Sequence, residues 1–385
     1  MSRVRQPPSR AKGRDLLGTE CDASCEYQGL TESPLGRIAR PNEAVFSIDK
    51  LDRPRSSLKL PRWNRPTRSA RSREEYRRTH GGREGEMRIL VTGSTGLIGS
   101  ALVPFLRAGG HEVVRLARAP LRADEVVALW DPEAGRLEAS ALEGVDAVVH
   151  LAGENIAGRW TAEKKARIRN SRVRGTQLLA ETLARLERPP AVLVSASAIG
   201  YYGDRGDELL REESPPGRGF LADVAAQWEA ATEPAAQKGI RVVILRFGIV
   251  LSPRGGALAQ MLPPFRLGLG GPIGSGQQYW SWIAIDDVVR AIQHALLTEP
   301  LRGPINVVAP DPVRNREFVR TLGRVLGRPT LLPMPAFAVR LLFGQMGEEL
   351  LLASQRVEPI RLLASGFVFQ YPDLEGALRH LLRKT

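Results

Sequence analysis

Met87-Arg-Ile-Leu-Val-Thr-Gly-Ser-Thr-Gly-Leu-Ile-Gly-Ser100 compresses three elements into one short stretch of a 385-residue chain. Ile89 to Val91 is an apolar β run, Gly93, Gly96 and Gly99 follow at G-x-x-G-x-x-G spacing, and apolar residues recur at helical intervals from Leu97 to Leu106. The reading is strand, glycine-rich turn, helix. The first glycine permits a tight turn, the second lets backbone approach a pyrophosphate without a Cβ in the way, and the third lets helix and strand pack closely. Unpaired N–H groups at the start of such a helix favour an anion. After Ala108-Gly-Gly-His111 comes a second apolar run, Glu112-Val-Val-Arg-Leu-Ala117, which completes a β-α-β unit.

The alternation continues along the chain. Val126 to Trp130 is a short strand candidate, and Val145 to Gly153 is a strand ending in small residues. Thr161 caps a helix that runs through Glu187 and stops at Pro189-Pro190. Ala191 to Ala196 is the next strand, leading into Ser197-Ala-Ile-Gly-Tyr-Tyr-Gly203; Phe220 to Gln237 is a helix interrupted by Pro234, and Ile240 to Phe247 is another buried strand. Strands and helices in this order predict an α/β fold, a Rossmann-like doubly wound parallel sheet covered on both faces. Such sheets bind ligands beyond the carboxyl ends of their strands, where Ala152 and Gly153 leave a cofactor room to pass.

Beyond Leu251 the texture changes. Pro263-Pro264 and the glycine-rich Leu267 to Gly276 read as loop, of the kind that forms a substrate lid. Ile285 to Leu297, Arg314 to Leu326, Ala336 to Phe343 and Gly347 to Ser354 read as helices, and Pro304 to Val308 as a return to the sheet. The expected organisation is a tail over residues 1–86, a dinucleotide-binding domain over 87–250, and a smaller substrate lobe with a C-terminal helical domain over 251–385.

Residues 1–86 carry many Pro, Arg and Ser without a sustained period of 2 or 3.6, which predicts a disordered basic tail. They hold 19 Lys/Arg against 12 Asp/Glu, so +7 of the formal +13 lies there. Two readings stay open for the tail: a start of translation at Met87, or a basic tethering arm. The remainder has no Arg-rich helix or aromatic-interleaved basic sheet, so specific nucleic-acid binding is not expected. Cys21 and Cys25, the two cysteines, both precede the glycine-rich element. That leaves the folded part without a thiol nucleophile or thiolate metal site, as suits a cytoplasmic protein. No apolar run is long enough for a membrane span. His80, His111, His150, His294 and His380 lack metal-ligand spacing, so no metal is expected, and Ser197 lacks the G-x-S-x-G context of a hydrolase nucleophile.

From Met87 onward the chain resembles the extended short-chain dehydrogenase/reductase superfamily. In particular it is similar to the atypical branch labelled "epimerase family protein" or nucleoside-diphosphate-sugar epimerase, with an added C-terminal domain of unknown function. The motifs that carry the likeness are Thr92-Gly-Ser-Thr-Gly-Leu-Ile-Gly99, His150-Leu-Ala-Gly-Glu154, Ser195-Ala-Ser-Ala-Ile-Gly-Tyr-Tyr-Gly203, Met261 to Gly271, Trp280-Ser-Trp-Ile-Ala-Ile-Asp286 and Pro310 to Asn315. The resemblance implies that Gly93, Ser94, Thr95, Gly96, Leu97, Ile98 and Gly99 bind the dinucleotide phosphates, that Leu151, Ala152 and Gly153 line the cofactor's path, and that Ser197 takes the place of the family's catalytic Ser or Thr. Ala117-Arg118 follows the second strand, where a carboxylate would bind a ribose 2′-OH. A guanidinium pairs instead with a 2′-phosphate, so NADP is favoured over NAD, unless Arg118 is an ordinary surface arginine.

The chain departs from the family in its chemistry. Ordinary members use a Tyr-x-x-x-Lys pair after the serine loop, whereas here the helix begins Phe220-Leu-Ala-Asp-Val224. Tyr201 and Tyr202 are the candidate replacements, with Arg205 able to stabilise a phenolate if it folds back; the bland alternative packs both tyrosines under the loop. Glu154 is either a carboxylate acid/base or a solvated loop residue, and Arg246 and Arg266 either bind an anionic substrate or make structural salt bridges. The expected function is an NADP-binding oxidoreductase or epimerase acting on a small, nucleotide-linked molecule, with a homodimer allowed. The alternative is a non-catalytic NADP-sensing regulator, which fits the cell-division-inhibitor labels that some relatives carry.

Overall fold

The computed structural model describes residues 86–119 and 127–383, all within one unit, Pro66–Thr385. The tail expected over residues 1–86 lies, apart from Glu86, outside the described residues.

Runs rich in Val, Ile and Leu produce an eight-stranded sheet. Its strands are β1 (Arg88–Thr92), β2 (Glu112–Ala117), β3 (Val127–Asp131), β4 (Arg136–Leu137), β5 (Ala147–His150), β6 (Val192–Ala198), β7 (Arg241–Phe247) and β8 (Gly303–Val307). The spatial order is β8-β7-β6-β5-β1-β2-β3-β4, and every pairing is parallel except β3 with β4. The chain builds from β1 to one edge, then returns to β5 on the other side of β1. That reversal leaves a crevice beyond the carboxyl ends of β1 and β5.

Both faces of each central strand are apolar because both are covered. Ile89, Val91, Val149, Val194 and Leu245 pack with α1 (Leu97–Ala108) and with the later helix Ile285–Leu297. Leu90, Val114, Val148 and Leu193 face α2 (Ala162–Arg185) through Leu179, Ala180 and Leu183. The Thr161 hydroxyl caps α2 by accepting from the Lys164 amide at 3.2 Å. α3 (Phe220–Ala230) crosses the exit of β6, and α4 (Gly256–Arg266) and α5 (Ile285–Leu297) follow β7. α6 (Asn315–Leu326), α7 (Ala336–Phe343) and α8 (Leu374–Arg383) come last; Phe318, Val319 and Leu322 of α6 bury with Ala377, Leu378 and Leu381 of α8.

Three local expectations are revised. The strand read over 145–153 stops at His150, because the Leu151 and Ala152 amides leave the ladder and donate to Thr92 Oγ1 at 3.0 and 3.1 Å. The helix read over 220–237 breaks after Ala230, and Pro234 sits in the first turn of a separate segment, Glu233–Gln237, where its missing N–H costs nothing. Pro263 and Pro264, read as loop, lie inside α4. Burial of Leu258, Leu262 and Phe265 offsets the two lost donors there. The glycine-rich stretch after α4 is held as a ribbon, with Leu332 and Met334 amides donating to Gly270 and Pro272 carbonyls and the Gly274 amide donating to Met334.

Candidate functional site

The turn between β1 and α1 has no room for a side chain at Gly93 or Gly99. Gly93 adopts φ +64°, and a Cβ there would stand 2.6 Å from the Leu151 carbonyl oxygen; at Gly99 it would stand 2.3 Å from that of Gly93. Gly96 opens α1 without a side-chain cap, and the first turn holds no acidic residue, so the N–H groups of Leu97, Ile98 and Gly99 begin the helix uncovered by carboxylate. Ser94 is buried and Thr95 exposed. Leu97 packs its methyls against Gly255 and Gly256, which closes the turn from the far side.

Arg115 of β2 donates from Nε to Ser94 Oγ at 2.9 Å, which ties the second strand to the glycine turn. Sequence reading pointed to Arg118, exposed just past the end of β2, and missed Arg115. An arginine between the apolar Val114 and Leu116 was the available signal. Across the crevice, Thr92 accepts from the Leu151 and Ala152 amides, so its own proton is donated to His150 Nδ1 at 2.8 Å. His150 is then the Nε2 tautomer, donating to Thr176 at 2.9 Å. Burial pushes this imidazole down to about 4, so it is neutral and structural, setting the course of Leu151 to Gly153.

The serine strand is arranged otherwise than expected. Ser197 is 2 % exposed, and its hydroxyl donates to Glu229 Oε1 of α3 at 2.6 Å. Glu229 in turn receives two bonds from Arg246, Nε to Oε1 and Nη2 to Oε2, each 2.8 Å. The Ser197 hydroxyl and the Arg246 guanidinium are therefore both engaged by the one buried carboxylate of Glu229. The positions at the end of β6 that retain some exposure are Ala198 and Gly200. Glu229 lies four and eight residues beyond Ala225 and Leu221, which places those two on its face of the helix; Leu221 accordingly packs at Gly200. Phe220 turns away to Trp160, Lys165 and Arg169. Neither Leu221 nor Ala225 can ionise, so the missing pair is not restored by a shift of register.

The tyrosines divide. Tyr202 is fully buried, donates to Asn306 Oδ1 at 2.7 Å and accepts from Arg246 Nη1 at 3.0 Å; burial raises its phenol to about 12. It sits in the core with its hydroxyl engaged by both Asn306 and Arg246. Tyr201 is half-buried, with the Arg246 guanidinium 3.6 Å from its ring centroid and no hydrogen bond to its hydroxyl among the described residues. Arg205 does not fold back onto either ring, because Glu208 holds it at 2.5 and 2.7 Å. Glu154 is kept ionised, first by a hydrogen bond from Lys164 at 2.7 Å and more weakly by Arg167 at 3.6 Å. Among the described residues no three His, Cys, Asp or Glu side chains gather as metal ligands, and no helix is long and apolar enough to cross a membrane.

Against known proteins, the pattern of the NAD dependent epimerase/dehydratase family matches residues 89–307, and that of a domain of unknown function, DUF1731, matches residues 334–381. The chain is similar to epimerase family protein Mb2239 of Mycobacterium bovis, 46% identical over 292 residues, which spans 75% of this chain and 96% of that one. Among solved structures it is similar to human epimerase family protein SDR39U1 (isoform 2) with NADPH, at 39% identity and a TM-score of 0.73 over 78% of this chain and 100% of that one. It is also similar to the UDP-glucose 4-epimerase of Thermus thermophilus in complex with NAD, at 25% identity and a TM-score of 0.62 over 77% and 99% of the two chains.

Proposed function

The chain belongs to the NAD dependent epimerase/dehydratase family, and from that premise we propose that it binds NADP(H) beyond β1, β5 and β6 and acts as an oxidoreductase or epimerase on a small, nucleotide-linked molecule. The observation that carries this reading is the uncapped N-terminus of α1 behind three glycines, at two of which, Gly93 and Gly99, backbone takes the Cβ position. These residues fit a dinucleotide: Gly93, Ser94, Thr95, Gly96, Leu97, Ile98 and Gly99 would hold its phosphates, and Leu151, Ala152 and Gly153 would line its path. NADPH in the human relative's structure supports the phosphorylated cofactor. So does the pairing of Arg115 with Ser94 and the exposed Arg118 nearby, where a carboxylate would repel a 2′-phosphate.

When bound, the nicotinamide would supply the site that gives or takes a hydride. The chain's own contribution is the proton. Tyr201 is the candidate for that work, supported by a hydroxyl that no described residue engages and by the cation against its ring. The same proposal assigns residues 87–250 to the cofactor and 251–385 to the substrate, and has the protein working in the cytoplasm as a monomer or homodimer.

A second reading, a non-catalytic protein that senses NADP(H), is favoured by Leu221, Ala225 and the engaged Ser197 hydroxyl: the two helix positions on the Glu229 face nearer the start of α3 carry no ionisable group. The two separate by following nicotinamide absorbance of the NADPH-loaded protein with a panel of sugar nucleotides and carbonyl compounds, with product analysis for epimerisation. Substrate-dependent oxidation or a changed sugar supports the enzyme. Tight binding with neither across the panel supports the sensor, and absence of NADPH binding rejects both.

A further inference from the structure

Arg172 of α2 is a cation in an unusual position. Its guanidinium lies directly against the backbone of Gly153: a Cβ there would stand 3.1 Å from Cζ, 3.3 Å from Nη2 and 3.4 Å from Nη1. Only Nη1 is engaged by the described residues, donating to the carbonyls of Glu154 at 3.0 Å and Ile168 at 3.2 Å. The other side of the group rests on the Trp228 indole, with Cζ 5.1 Å from the ring centroid.

No carboxylate stands within ion-pair distance of Arg172 among the described residues. Glu154, the carboxylate whose charge reaches Arg172, is hydrogen-bonded by Lys164 and lies close to Arg167. Burial brings the guanidinium down to about 10, which still leaves it charged at neutral pH. A partly buried cation whose nearest counter-charge, Glu154, is shared with Lys164 and Arg167 is costly, and an apolar side chain would serve packing better. The indole beneath it carries a second unmet donor, since Trp228 Nε1 is buried without an acceptor among the described residues. Two neighbouring polar groups with unmet donors, one of them against Gly153 just past β5, fit a ligand rather than a core.

The sheet order says which part of a ligand this is. In a doubly wound sheet the strands on the β2 side serve the adenosine half of a dinucleotide, and those on the β5 and β6 side serve the other half. Gly153 follows β5, whereas Arg115 and Arg118 belong to β2 and its exit. We infer that Arg172 contacts the nicotinamide half of NADP(H), supplying from α2 the positive charge that the absent Tyr-x-x-x-Lys lysine would have supplied from α3. This rests on the cofactor reading above and adds a residue to it.

The test compares two ligands that share the adenosine half. Affinities for NADPH, by nicotinamide fluorescence, and for 2′,5′-ADP, by calorimetry, are measured for the wild-type chain, Arg172→Gln and Arg172→Lys. Loss of a charge-assisted contact is expected to weaken NADPH about tenfold or more in Arg172→Gln, with partial recovery in Arg172→Lys. Affinity for 2′,5′-ADP, which lacks the nicotinamide half and reports an intact fold, should change by less than about twofold on the same scale. Equal weakening of both ligands would make Arg172 a purely structural residue and overturn the inference, and so would unchanged NADPH affinity. A wild-type chain that bound neither ligand would instead remove the cofactor reading itself.

Discussion

The backbone N–H of Leu221 donates to the carboxylate of Glu349 at 2.8 Å, joining residues 128 positions apart in the sequence. The Phe220 amide meets the other carboxylate oxygen at 3.1 Å, and Gln345 steadies the group from its own segment at 2.7 Å. A negative charge thus caps the N-terminus of α3, where the helix dipole favours it. Gly219 precedes the helix at φ +116°, and a side chain there would crowd the same carboxylate, at 3.2 Å from its carbon. Since residues 334–381 match the domain of unknown function, one contribution of that domain is to anchor the helix that covers Ser197.

Removing the cap should loosen that helix. Glu349→Ala is expected to cost about 1–2 kcal/mol in urea unfolding, with Glu349→Gln, which keeps one acceptor, recovering part of the loss. An unchanged midpoint in both variants would mean that water caps α3 equally well.

The buried pair of Glu229 and Arg246 predicts an asymmetry. Glu229→Ala leaves Arg246 in the core without its partner and should destabilise by roughly 3–5 kcal/mol, whereas replacing both by apolar residues of similar volume should cost far less. Chemical denaturation of the two single variants and the double variant measures the coupling. Additive losses would contradict the pairing.

Gly99→Ala and Gly96→Ala should differ in kind. The first puts a methyl 2.3 Å from the Gly93 carbonyl oxygen and 2.6 Å from Ser94 Cα, so the turn itself must deform. The second meets only the Gly93 oxygen, at 3.2 Å. Gly99→Ala is expected to lower both thermal stability and NADPH affinity, and Gly96→Ala mainly the affinity. Fluorescence titration alongside a thermal melt distinguishes them.

His150 predicts an acid-side loss of stability. Its folded-state value is depressed to about 4 from an ordinary 6.5, so the unfolded chain takes up the proton first as pH falls. Its contribution is fully present above about pH 6.5 and declines through the interval down to about 4, amounting to about 2 kcal/mol by pH 5. Denaturant midpoints at pH 7 and pH 5 should fall less steeply in His150→Gln than in the wild-type chain, because that variant has nothing to titrate at this position.

The two adjacent tyrosines should separate stability from chemistry. Tyr202→Phe strands Asn306 and an Arg246 donor in the core and is expected to cost about 1–3 kcal/mol. Tyr201→Phe should leave unfolding nearly unchanged while abolishing any turnover found with the substrate panel. Full activity in Tyr201→Phe would remove it as the proton relay.

The glycine turn was legible because each of its requirements is local: Gly93, Gly96 and Gly99 lie within seven residues, and the β runs on either side show their own period. The serine neighbourhood was not. Ser197, Glu229 and Arg246 come from β6, α3 and β7, and nothing near any one of them names the other two. Arg205 was the obvious cation by sequence proximity to the tyrosines, yet Glu208 three residues away captures it and Arg246 arrives from the neighbouring strand. Arg172 left only a faint signal, one arginine among several on a mostly polar helix.

By itself the sequence determined the parallel sheet, its glycine-lined crevice and the absence of the Tyr-x-x-x-Lys pair. These depend on short-range periodicity, turn chemistry and residue identity, all of which are read along the chain. Only the tertiary structure decided which polar groups are free for chemistry. It engages Ser197 and Tyr202 within the core, leaves the Tyr201 hydroxyl without a partner among the described residues, and brings Arg172 against Gly153 with two of its nitrogens free of hydrogen bonds to them. Whether a hydroxyl or a guanidinium is spent or available depends on the partners that folding delivers from distant segments, and burial raises the cost of leaving one unmatched.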